Sequence, residues 1–172
     1  MPVLDISDPT HPVQAGTVLT SSTNGVLVAT GDLLLVGLGW GGTYPSSVGI
    51  DIIDVSTPSS PVDLATLVTP DTILGFAVDG TTVVLVDDGD RLITYDISSP
   101  AAPVETGSFG LPAQPVGVAL LGNHAFVADG LGFRVIDISD PSSPSQVGFT
   151  ATSKSPANVL GAVGSYVFYG FG

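Results

Sequence analysis

The sequence predicts an all-β chain organised as a β-propeller of four-stranded antiparallel blades, and three observations predict it. The phrase Asp-Ile/Val-Ser-x-Pro-x-x-Pro occurs four times, starting at Asp5, Asp54, Asp96 and Asp137. These aspartates stand 49, 42 and 41 residues apart, and self-similarity at such a period marks one supersecondary unit copied in tandem. Between the motifs, short apolar runs alternate with Gly, Pro and Asp turns, which is the chemistry of strands. The 22 glycines and 14 prolines also oppose helix, since Gly costs backbone entropy and Pro removes a donor.

Each unit then reads as strands A to D. Residues 1–20 begin inside a C strand, Val3-Leu4-Asp5-Ile6, pass through the first motif and continue as a D strand over 13–19. In unit 21–68, Val26 to Ala29 turns at Gly31-Asp32 into Leu33 to Val36, and a loop carrying a seven-residue excess precedes Ile50 to Val55. In unit 72–109, Leu74 to Val78 meets the hairpin signal Asp79-Gly80, a pair tolerant of positive φ. Val83 to Val86, the loop Asp87-Asp88-Gly89-Asp90, Leu92 to Ile97 and Val104 to Phe109 follow. Unit 114–150 repeats the plan around Gly122-Asn123, and the piece 157–172 supplies only Val159 to Val163, Gly164-Ser165 and Tyr166 to Tyr169.

The last piece holds A and B strands, whereas residues 1–20 hold C and D. The N-terminal pair is therefore expected to complete the C-terminal blade of a single domain, 1–172, because unpaired strand edges template aggregation. The result is a four-bladed ring within one chain, half of an eight-bladed dimer, or part of a longer propeller polypeptide.

Sixteen acidic residues, fifteen of them aspartate, face three basic ones, for a net charge of -13. Nucleic acid is disfavoured, because neutralising phosphates takes Lys and Arg clusters, and so are anionic membrane surfaces. Apolar runs of about five residues are too short for a membrane span. The start has no basic-then-apolar segment of a secretory signal, and the absence of cysteine removes disulfides and thiolate metal sites.

The run Phe133-Arg134-Val135-Ile136-Asp137-Ile138-Ser139, preceded by Val127-Ala128-Asp129-Gly130, has further copies at 50–56 and 92–98. It resembles the LVIVD-repeat family of bacterial and archaeal surface proteins. The resemblance implies a β-propeller at the cell surface or outside the cell, with molecular functions mostly unassigned. Members generally carry more repeats, so the resemblance also implies a homo-oligomer, a dimer being simplest.

Three candidate sites follow. The motif residues Asp5, Ser7, Pro9, Asp54, Ser56, Pro58, Asp96, Ser98, Pro100, Asp137, Ser139 and Pro141 have the chemistry of a capped tight connection, with a carboxylate ring for cations as the alternative. Asp87, Asp88 and Asp90 could begin a Ca²⁺ site, since that ion takes six to eight oxygens, although the spacing is not that of an EF-hand. Trp40 and Tyr44, in the inserted loop, could stack on a sugar or anchor a protein, or pack against the blade. His11, His124, Arg91, Arg134 and Lys154 are too few and scattered for a catalytic or phosphate-binding cluster. The leading expectation is a non-enzymatic scaffold without a cofactor. A carbohydrate- or calcium-dependent binding module and a propeller hydrolase or lyase are the alternatives.

Overall fold

The computed structural model describes residues 1–20, 24–38, 49–152 and 156–171. Among them lie sixteen strands. β1 (Pro2–Asp5) and β2 (Val13–Thr17) form a two-stranded sheet. β3 (Asn24–Thr30), β4 (Leu33–Leu38), β5 (Gly49–Asp54) and β6 (Val62–Val68) form the first complete blade. β7 (Ile73–Asp79), β8 (Thr82–Asp87), β9 (Arg91–Asp96) and β10 (Val104–Gly110) form the second. β11 (Pro115–Leu121), β12 (His124–Asp129), β13 (Gly132–Asp137) and β14 (Ser145–Ala151) form the third. β15 (Pro156–Val163) and β16 (Tyr166–Phe171) form another two-stranded sheet.

Every blade is an antiparallel meander, and its first hairpin is closed by a glycine. Gly31, Gly80, Gly122 and Gly164 have φ of 54°, 58°, 56° and 59°, a conformation that costs other L-residues energy. Each is the first of two loop residues, the place for Gly in a II′ turn, whose twist matches that of the flanking strands. In the second blade Asp79 pairs with Thr82, so the turn is Gly80-Thr81 and not Asp79-Gly80: the positive φ belongs at the first central position, which draws Gly80 there.

Side chains alternate across each pleated strand, so every complete blade offers one apolar face to its predecessor and one to its successor. Leu35, Ile50 and Ile52 of the first blade meet Val83, Leu85, Ile93 and Tyr95 of the second in one buried cluster. Val84, Val86 and Leu92 of the second blade meet Ala125, Val127 and Ile136 of the third. Met1 and Val18, flanking β1 and β2, pack with Leu34, Val36, Ile53 and Val55 of the first blade. At the other end β15 lies against β11, and Tyr169 stacks on Phe133 with ring centroids 5.7 Å apart.

The stack thus runs half-blade, three complete blades, half-blade. The two halves are separate sheets. Among the described residues, no strand pairing within one chain joins the N-terminal C and D strands to the C-terminal A and B strands.

Candidate functional site

The four motif copies build the same corner. Oδ1 of Asp5, Asp54, Asp96 and Asp137 accepts the N–H of Ser7, Ser56, Ser98 and Ser139 at 2.8, 2.8, 2.7 and 2.8 Å. A β-turn follows, in which the carbonyls of Asp8, Thr57, Ser99 and Asp140 accept the N–H of His11, Ser60, Ala102 and Ser143 at 2.8 to 3.1 Å. Pro9, Pro58, Pro100 and Pro141 occupy the second turn position, where a fixed φ near −65° is already the one required. The hydrogen bonds from Ser7, Ser56 and Ser139 hold the carboxyls of Asp5, Asp54 and Asp137 below the usual range.

The corner also joins blades. The Pro141 carbonyl accepts the Thr94 hydroxyl of the preceding blade at 2.7 Å and lies against Gly107, where any Cβ would collide with it. The Pro58 carbonyl lies in the same way against Gly16. Glycine is needed at these places for close approach of two backbones, and the motif proline is the part that approaches.

Asp87 and Asp129 end the second strand of their blades and are fully buried. Oδ1 of Asp87 accepts the N–H of Gly89 and Arg91 at 3.1 and 3.0 Å, and its Oδ2 takes the Arg91 guanidinium at 2.7 Å. Arg91 also reaches Asp71 at 2.6 Å. Oδ1 of Asp129 accepts the N–H of Leu131 and Gly132, its Oδ2 takes Nε of Arg134, and Nη1 of Arg134 reaches Gln146. The Arg134 guanidinium stands 4.3 Å over the Phe149 ring. Sequence spacing does not anticipate these clusters. Their one visible signal is that both arginines follow an aspartate across a B–C turn.

The acidic loop therefore does not gather its carboxylates. Asp87 turns inward to Arg91, Asp88 accepts the N–H of Thr72 at 2.9 Å, and Asp90 adopts a φ of 58°. Among the described residues no group of three or more His, Cys, Asp or Glu side chains is placed to hold a metal ion. Trp40 and Tyr44 lie outside the described residues. No helix among the described residues is long and apolar enough to cross a membrane.

Radially stacked four-stranded meanders joined through a repeated corner define a β-propeller repeat protein. The LVIVD repeat model matches residues 1–20, 46–68, 77–110 and 115–152, and the chain belongs to that family. Its fold is similar to that of a Lactobacillus plantarum protein at 18% identity and a TM-score of 0.74, covering 94% of this chain and 53% of that one. A functionally unknown protein from Desulfotomaculum acetoxidans matches at 14% identity and 0.73, covering 89% and 50%. The β-propeller domain of Swd1 from Myceliophteria thermophila matches at 15% and 0.55, covering 75% and 39%. The chain spans about half the length, or less, of these solved chains. No curated protein matches it.

Proposed function

We propose that this chain is a non-enzymatic interaction scaffold of the surface-protein type, whose blades hold loops in position for a protein or glycan partner. The observation that carries this reading is the destination of the charged side chains. Arg91 and Arg134 are committed to buried or half-buried carboxylates, and each motif aspartate folds its own turn. Both arginines and the four motif aspartates thus serve architecture. With a net charge of -13, the partner is one of neutral or basic surface, since like charges across an interface are costly.

Trp40 and Tyr44 are the anchors of choice in this reading, because aromatic side chains supply contact area at low entropic cost. Display outside the cell belongs to the same proposal and rests on the family. The test is a glycan and peptide array probed with the purified chain. The expected outcome is a binder whose signal is lost in Trp40→Ala while the melting temperature is unchanged. Turnover of an ester or glycoside probe that disappears on neutralising one aspartate would overturn the scaffold reading in favour of an enzyme.

A further inference from the structure

We infer that the two half-blades are parts of one blade shared between chains: β15–β16 of one copy pairs edge to edge with β1–β2 of a second copy, at two equivalent seams, closing an eight-bladed ring. This inference stands apart from the scaffold reading.

The hydrogen-bond register is repeated in every complete blade. The first residue after the hairpin glycine turn pairs with the motif aspartate: Leu33 with Asp54, Thr82 with Asp96, His124 with Asp137. One rung further, the N–H of Val55, Ile97 and Ile138 donates to the carbonyl of Asp32, Thr81 and Asn123 at 2.8, 2.8 and 2.9 Å. β16 begins with Tyr166 after Gly164-Ser165, and β1 ends at Asp5. The same register sets Tyr166 opposite Asp5, Val167 opposite Leu4 and Phe168 opposite Val3, with the Ile6 N–H on the Ser165 carbonyl of the second copy.

The side chains along these edges lack the cover that their counterparts have. Leu4 is 56% exposed, whereas Ile53, Tyr95 and Ile136 at the same position are 0%, 6% and 0% exposed. Phe168 is 60% exposed, whereas Leu35 and Val84 are both at 0%. Those counterparts fill the space against the following blade, Leu35 beside Val83 and Val84 beside Ala125. At the start of the chain that space is a cavity of about 740 Å³ between β1 and the first blade, lined by Val3, Ala29, Leu34 and Val55 among others. Phe168 of the second copy has the position and apolar surface to occupy it.

A third feature lies on β14. Gly148 pairs with Val135 as Gly16 pairs with Val3 and Gly107 with Thr94. Gly16 and Gly107 each receive a motif proline carbonyl of the next blade, whereas at Gly148, among the described residues, only Val135 lies within 4 Å of where a Cβ would stand. The next corner in ring order is the one carrying Pro9 of the second copy. A second copy of this chain is therefore the occupant that supplies the paired strands, the apolar plug and the corner together.

Light scattering on the purified 172-residue chain should give twice 17.3 kDa; a monomer or a ladder of larger species overturns the proposal. The chain has no cysteine, so a disulfide can report the register. The pair Asp5 and Tyr166 belongs to the non-hydrogen-bonded class, with Cα atoms about 4.5 Å apart, within disulfide reach. Asp5→Cys with Tyr166→Cys should run as a covalent dimer on non-reducing electrophoresis, and Asp5→Cys with Val167→Cys, on opposite faces, should not. A cross-link inside one chain would mean a four-bladed ring, and a dimeric mass without the cross-link would put the interface elsewhere; either result overturns the seam. Phe168→Asp should halve the mass with the far-UV circular dichroism unchanged, and a mass that stays doubled counts against the proposal.

Discussion

Asp129 and Arg134 bring opposite charges into a strand core, and the cost of doing so is met only while both are present. Asp129 is fully buried and the Arg134 side chain is 6% exposed. Asp129→Ala leaves a buried cation without its partner and should destabilise the fold by about 3–5 kcal/mol in urea titration. Asp129→Leu combined with Arg134→Met should recover only part of that loss, since it removes the unpaired charge but leaves the N–H groups of Leu131 and Gly132 without the carboxylate that accepts them. The pH dependence has two arms. Asp5, Asp54 and Asp137 titrate below 3.8 when folded, so the stability they give is complete above that value and is lost as pH falls through their lowered folded values. Asp63, raised by burial and then by the charge of Asp51, acts in the opposite sense. Burial, aided by Glu105, pushes the Tyr95 hydroxyl up to about 12. The unfolded chain loses that proton first, so stability should fall between about pH 10 and 12, as thermal melts across that range would read. Chelator should leave the melting temperature unchanged, because the carboxylate of Asp87 is taken by Arg91.

Hairpins are where local sequence and structure agree most directly. Gly122 and Gly161 both have open space where a Cβ would go, but only Gly122 has a positive φ. Gly122→Ala should therefore cost about 1 kcal/mol, and Gly161→Ala should be neutral or slightly stabilising; thermal melts of the two variants compare them at equal volume. This locality explains what could be read in the sequence. The four-strand unit and its period were legible because a II′ turn demands Gly and a tight corner demands Asp, Ser and Pro in order. The second hairpin was displaced by one residue for the same reason, since Asp-Gly and Gly-Thr both read as turn pairs and only the backbone sign chooses between them. The Asp–Arg clusters were not legible: Asp71 and Arg91 meet only once β7 and β9 flank β8, and nothing local marks that encounter. Trp40 and Tyr44, the residues a sequence reading favours for binding, fall outside the described residues.

At the scale of the molecule, the turn from blade to blade decides what the chain becomes, and no single repeat encodes it. That angle is set by packing between faces, such as Tyr169 stacked on Phe133 and the proline carbonyl seated on Gly107. The ring proposed above joins two chains of net charge -13, so salt should favour it by screening their repulsion; sedimentation at low and high ionic strength should show the doubled species gaining with salt. The half-blades carry a further consequence. Their two edges are unlike, so the contact they make is head-to-tail and has no built-in limit on the number of subunits. A substitution that flattened the packing between blades by a few degrees would leave the hydrogen bonds within each blade intact and still prevent closure, and the same chain would then grow as an open helical filament.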